Sequence, residues 1–278
     1  MPPGSSTGTP HDTDASLASL AKRIRLTILH ESKRAGVGHI GSALSVADIV
    51  AVLYGRAMRV ADPTDPDRDR FVMSKGHAAL ALYAALHERG WIDSETLAGY
   101  CTDGTLLGVH PDHHVTGIDF STGSLGQGLA FGTGAALAAK LAMSDRRVFV
   151  LVSDAECNEG SLWESAMFAA HHQLSNLVAI VDVNGQQALD HTQHVLDLSP
   201  LDRRWSAFGW HAEVVDGHDV GQLARALTAE ASSPPKPRVV IARTTFGRGV
   251  SFMEGQIKWH YVPMNDAEYR QAVAQVDA

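Results

Sequence analysis

Cysteine is nearly missing from this sequence: 278 residues hold only Cys101 and Cys157, far apart and in no CxxC pair. A disulfide framework or thiolate zinc site is therefore unsupported, and a reducing cytoplasm fits best. Nothing near Cys157 lowers its pKa recognisably, so it reads as packing. Basic charge is also scarce. With 23 Lys and Arg against 31 Asp and Glu, the net charge is −8, and no electrostatic footprint for nucleic acid is present. No apolar run approaches membrane-spanning length, and the N-terminus lacks the basic-then-apolar pattern of a secretion signal. The dinucleotide fingerprint is missing too. Gly123-Ser-Leu-Gly126-Gln-Gly128 is rich in glycine but has the wrong spacing for GxGxxG, which disfavours a Rossmann dehydrogenase.

What is present is a globular composition, 45% hydrophobic and 19% charged, long enough to bury a sizeable core. Residues 1–13 are rich in Pro, Gly, Ser and Thr and read as a disordered tail. Residues 14–278 show no internal repeat and no linker, so one domain is expected. Leu17, Leu20, Ile24 and Ile28 mark an amphipathic helix stopping near Gly36. Ser45-x-x-Asp48 reads as a capping box opening another. Core strands are expected at Phe71–Met73, Val148–Val152, Leu177–Val181, His211–Val215 and Val239–Ala242. A helix is expected from Val220 to Ala231, and Gly132 and Gly134 read as close packing within an alanine-rich helix.

The most informative stretch runs from Val148 to Gly185. Two apolar runs flank a helical pattern (Leu162, Ala166, Met167, Ala170), which makes a βαβ unit with parallel strands. A right-handed crossover brings both strand ends to one sheet edge, where open α/β sheets hold their ligands. Asp154 and Asn184 therefore arrive together. Taken singly, Asp154 reads as a helix cap and Asn184 as a turn residue. Together with a nearby backbone carbonyl, their oxygens suit a hard cation such as Mg²⁺ that keeps part of its shell for phosphate. His39, His77 and His110 each sit in a glycine-flanked turn beside an apolar segment. In a chain with 15 histidines any one is unremarkable, but three in this setting point to a site.

Seven stretches carry a resemblance: GHIGSALSVADI, SKGHAALALY, STGSLGQGL, SDAECNEGSLWE, VDVNG, FGWHAEVVDGHD and GVSFMEGQIKWH. From about Leu17 to Asp266 the chain resembles the N-terminal, diphosphate-binding part of transketolase, in the arrangement where the enzyme is split over two polypeptides. The resemblance implies a three-layer α/β/α thiamine diphosphate-binding fold with a mostly parallel sheet. It also implies that Asp154, Asn184 and the main-chain carbonyl of Gln186 hold Mg²⁺, or Ca²⁺ or Mn²⁺ in its place. His77 and His260 are implied to contact the diphosphate; Gly123, Ser124 and Leu125 to line the thiamine rings; and His110 to lie close by. Ala155, Glu156 and Glu159 complete the implied cofactor surroundings. Glu159 and Glu164 fall where the family makes contacts between subunits. His39, His77, His110 and His260 are implied to be catalytic, as befits a group that gives and takes protons near neutral pH.

The implied reaction is transfer of a two-carbon ketol unit from a ketose, or its phosphate, to an aldose. The chain ends before the family's pyrimidine-binding domain. An obligate C-terminal partner subunit in an α₂β₂ assembly is therefore expected, with a sugar or sugar-phosphate substrate and no nucleic acid or membrane partner. Two positions depart from the family pattern. GDG is Ser153-Asp154-Ala155, which adds a methyl near phosphate, and WHG is Trp259-His260-Tyr261, which sets a phenol beside a substrate histidine. A decarboxylating keto acid–aldehyde condensation and a non-catalytic scaffold are the alternatives.

Overall fold

The computed structural model describes residues 13–230 and 232–278. Apart from Thr13, the expected tail lies outside the described residues, as does Ala231. Thr13 caps the first helix, α1 (Asp14–Ala35), through a reciprocal box with Ser16, and the helix ends at Gly36 in the left-handed region (φ 65°). Its apolar stripe, Leu17, Leu20, Ile24 and Ile28, is fully buried or nearly so. Next come α2 (Ile40–Ser45) and α3 (Ala47–Val52), the latter running into a π turn at Leu53–Ala57. Strand β1 (Arg70–Met73) is followed by a short 3₁₀ turn, α4 (Ala79–Glu88) and α5 (Ser94–Leu97). A long loop leads to α6 (Gly128–Leu141), β2 (Val148–Ser153), a 3₁₀ turn at Ala155–Asn158, α7 (Gly160–His171) and β3 (Leu177–Val183). The chain closes with α8 (Thr192–Leu196), α9 (Leu201–Ala207), β4 (His211–Asp216), α10 (Val220–Thr228), β5 (Arg238–Arg243), α11 (Lys258–Tyr261) and α12 (Asp266–Asp277).

The five strands form one wholly parallel sheet in the order β1-β2-β3-β5-β4. Alternation along the strands divides the core into two clusters, one on each face. Phe149, Leu151, Val178, Ile180 and Val240 pack with α1, α3, α4 and α10. Val148, Val150, Val152, Ala179, Val181 and Ile241 pack with Leu162, Ala166 and Ala169 of α7 and Trp205 of α9. Three layers result, and burial on both faces explains why β2 and β3 read as continuous apolar runs.

Three local expectations are corrected. β4 is an edge strand, not a core one: β5 inserts between it and β3, leaving His211, Glu213, Val214 and Asp216 exposed. Ser45 caps nothing; it is the last residue of α2, and its hydroxyl donates to the Asp182 carboxylate at 2.9 Å. Of the two helix glycines, only Gly132 is packed, since a Cβ there would run into Val150, whereas Gly134 faces open space.

Candidate active site

The register of β2 with β3 pairs Ser153 with Asp182, and the backbone N–H of Asp154 donates to the Asp182 carbonyl at 3.1 Å. Asp154 and Asn184 thus leave the same C-terminal edge of the sheet. Asp154 is 2% exposed. Its carboxylate accepts from the N–H groups of Ala155 and Gly185, each at 2.9 Å, and from the Thr192 hydroxyl at 3.1 Å. Burial, reinforced by the charge of Asp182, pushes its pKa up to about 6. The Asn184 amide donates to Asp182 at 2.9 Å, and its oxygen accepts from the Gln186 N–H at 3.0 Å.

A cavity of about 330 Å³ opens beside these strand ends, lined by Ser153, Ala155, Asn184 and Gln186 from the sheet edge. His39, His77, His110, Gly123, Leu125 and His260 form other parts of its wall. Asp154 itself lines an adjoining cavity of about 300 Å³, with Gly185, His191 and Thr192. Histidines from three separate stretches meet in the first cavity. The ring centroids of His39 and His260 lie 4.9 Å apart, those of His77 and His260 5.2 Å, and those of His39 and His77 5.4 Å. The backbone fixes this meeting. His39 sits in the left-handed region (φ 61°), unusual for a residue with a side chain, and its N–H donates to the His260 carbonyl at 3.1 Å. Gly38 permits the approach, because a Cβ there would fall 2.5 Å from the Tyr261 carbonyl oxygen.

Burial lowers the pKa of all three histidines. For His260 the value falls to about 4, with the charges of His39 and Lys75 adding to desolvation. They are therefore neutral near pH 7, each with one donor and one acceptor nitrogen. His77 Nε2 lies 3.1 Å from the Ser42 hydroxyl, whereas His39 Nδ1 is buried and has no partner among the described residues. His110 is exposed at the rim, against Gly76 and Gly123, and Tyr83 holds its carbonyl at 3.0 Å.

Other candidates fall elsewhere. Glu156 does not line the cavity. It is fully buried, one oxygen accepting from Ser74 at 2.5 Å and the Gly126 N–H at 3.0 Å, the other from the Ser153 N–H at 2.9 Å. It ties the ends of β1 and β2 to the glycine turn. Glu156→Ala strands two buried N–H donors and is expected to destabilise the chain by about 3 kcal/mol. Urea unfolding checks this, and a loss below about 1 kcal/mol contradicts the role. Ser124, Glu159 and Glu164 are exposed and do not line the cavity. Ala155 lies in a 3₁₀ turn rather than at positive φ, so its methyl brings no backbone strain. The Tyr261 phenol donates to the Ala188 carbonyl and so bridges α11 to the loop after β3. Reasoning from sequence passed over Ser42 and Lys75, both in the cavity wall. Lys75 was within reach of notice, as a lysine at a strand end immediately before a Gly-His turn.

Residues 16–276 match the family described as transketolase, thiamine diphosphate binding domain. The chain belongs to the transketolase family. It is 39% identical over 261 residues to 6-deoxy-6-sulfo-D-fructose transketolase subunit SqwG of Clostridium sp. (strain MSTE9), covering 92% of this chain and 94% of that one. One of the subunits of apulose-4-phosphate transketolase from Phocaeicola vulgatus is 40% identical, with 87% of each chain covered. The crystal structure of transketolase from Campylobacter jejuni superposes with a TM-score of 0.87 at 29% identity, over 94% of this chain and 42% of that one. With subunit-named relatives matched almost end to end, the chain is a transketolase-type transferase of the N-terminal subunit kind. The Cys157 thiol is fully buried and its pKa raised by that burial, so it takes no part in the site. Among the described residues no helix is long and apolar enough to cross a membrane.

The three candidate metal ligands fit a transketolase cation. Asp154 has taken three donors onto about four acceptor positions, and the Asn184 oxygen has taken one onto two. No donor reaches the Gln186 carbonyl among the described residues. All three oxygens keep a lone pair and all are hard, as a divalent cation requires.

Proposed function

We propose that this chain binds thiamine diphosphate through a divalent cation, Mg²⁺ in the first place, and transfers a two-carbon ketol unit from a ketose or its phosphate to an aldose, working with a separate C-terminal subunit. The observation that carries this is the meeting of three neutral imidazoles with Asn184 and Gln186 around one cavity, with Asp154 lining the adjoining one, in a chain of this family.

Asp154, Asn184 and the Gln186 carbonyl hold the cation. When bound, the cofactor supplies an electron sink for making and breaking a carbon–carbon bond beside a carbonyl. The chain's own residues do the rest. His77, oriented by Ser42, stands where it can donate to phosphate. His39, which lines the cavity, can take a substrate hydroxyl proton, and His260, clamped to His39 through the backbone, can return one to the carbonyl oxygen. Gly123 and Leu125 offer a partly apolar wall for the rings.

A separate partner chain is supported by the subunit-named relatives and by large apolar side chains left exposed on α6 and α7: Phe131 is 38% exposed, Phe168 43% and Met167 51%. An α₂β₂ assembly in the cytoplasm is part of the same proposal, and both cysteines are free thiols. The test follows transfer from a ketose phosphate to an aldose phosphate by NMR, using this chain, its partner, and both together. Turnover that needs both chains, thiamine diphosphate and Mg²⁺ is expected. Turnover by either chain alone, or none by the assembled pair across a donor panel, contradicts the proposal.

A further inference from the structure

Lys75 is 1% exposed and Asp182 is completely buried, and the two form an ion pair at the floor of the cavity. An ammonium and a carboxylate both taken out of water are costly, and an apolar pair of similar volume commonly serves stability as well. Their placement suggests another use. Asp182 stands two positions before Asn184, and the same Oδ2 accepts from Lys75, from the Asn184 amide at 2.9 Å and from Ser45 at 2.9 Å. Its other oxygen accepts from the Thr244 hydroxyl. With four donors fixed on it, Asp182 has no freedom to turn. An amide whose nitrogen is captured by this carboxylate must point its oxygen the opposite way.

We propose that Lys75 and Asp182 are a positioning pair for the metal: Lys75 fixes and neutralises Asp182, and Asp182 holds the Asn184 amide so that its oxygen is presented to the cation. This rests on the cation reading above. It also explains how two carboxylates, Asp154 and Asp182, coexist beside one another. The ammonium offsets the one that does not touch metal and leaves Asp154 as the ligand charge. Outer partners that orient a metal ligand typically matter by about 10–100-fold in affinity. Lys75 faces the cavity as well, where its charge adds to the burial that keeps His77 and His260 neutral.

The positioning role and a simple charge effect predict opposite signs. Removing a positive charge near a cation tightens cation binding by Coulomb's law alone. Losing an oriented ligand loosens it. The experiment titrates Mg²⁺ at fixed thiamine diphosphate into the assembled complex and reads bound cofactor by calorimetry, for wild type, Lys75→Met and Lys75→Arg. Lys75→Met is expected to raise the Mg²⁺ half-saturation by about 10–100-fold, and Lys75→Arg, which keeps a charged donor to Asp182, to recover most of it. Circular dichroism verifies the fold. Where Lys75→Met does not fold because Asp182 is left unpaired, Lys75→Met with Asp182→Asn removes both charges and is expected to show the same loosening. Unchanged or tighter Mg²⁺ binding in a folded variant overturns the pair's role while leaving the cofactor reading intact. No saturable binding by wild type overturns both.

Discussion

Asp154→Ala is expected to weaken Mg²⁺-dependent thiamine diphosphate binding by at least about 100-fold, the upper end of what loss of an outer partner costs. Asp154 is the one charged oxygen among the proposed ligands. Without it an amide and a backbone carbonyl remain, and neither brings the negative charge that helps strip water from Mg²⁺. Calorimetric titration of the assembled complex measures the loss, and a change below about threefold contradicts the ligand role. The same residue predicts a stability effect of opposite sense in metal-free protein. The folded pKa, about 6, lies above the ordinary 3.8, so between these values the folded state holds a proton that the unfolded state has released. Stability therefore falls as pH rises through that window, and the full penalty of a buried, unpaired charge is present at pH 7. Asp154→Asn, which removes the charge but leaves one accepting oxygen where two accept in wild type, is expected to gain stability relative to wild type as pH rises through that window without metal. The gain should fade as pH falls from about 6 towards 3.8.

His260→Ala is expected to lower the kcat of the assembled enzyme by roughly 10²- to 10⁴-fold, the usual contribution of a positioned proton-transfer group. Its ring closes the imidazole cluster, 4.9 Å from His39 and 5.2 Å from His77 by centroid. Removing it takes away a proton carrier and frees the volume that holds the other two in place. Desolvation, with help from the charges of His39 and Lys75, brings its pKa from 6.5 to about 4, so it is neutral throughout the physiological range. The linkage has a definite sign. Between 6.5 and about 4 the unfolded chain binds a proton that the folded chain does not, so the contribution of His260 to stability is lost as pH falls through that window. Urea unfolding from pH 7 to 4 is expected to show wild type losing stability relative to His260→Gln. Turnover within about fivefold of wild type in a folded His260→Ala complex contradicts the catalytic role.

The parts of the fold legible in sequence are those where one local rule decides. The βαβ unit from β2 to β3 follows from two apolar runs and a helical period. Its handed crossover then forces Asp154 and Asn184 to one edge without knowledge of anything else. The end of α1 follows from Gly36, and the glycine-flanked histidines do converge, since short turns at strand and helix ends have few other directions to take. The rest needed facts that sequence spacing does not hold. β4 reads as a core strand because its composition is apolar enough, but its place at the edge depends on β5 inserting beside β3. Ser45 followed by Asp48 has the spacing of a capping box, yet the left-handed backbone at His39 starts a short helix early and turns Ser45 inward to Asp182. Glu156 shows the same limit at the site. In sequence, a carboxylate two residues beyond Asp154 cannot be told from a ligand-facing one; only packing shows that both its oxygens are committed to Ser74, Gly126 and Ser153.

The central claim is that Asp154, Asn184 and the Gln186 carbonyl hold one divalent cation for thiamine diphosphate. Its most direct test is an anomalous-scattering map from crystals of the assembled complex grown with Mn²⁺ and thiamine diphosphate. One manganese peak within bonding distance of all three oxygens is predicted, with the diphosphate beside it. Cofactor density without such a peak, or a peak that leaves Asp154 uncoordinated, contradicts it.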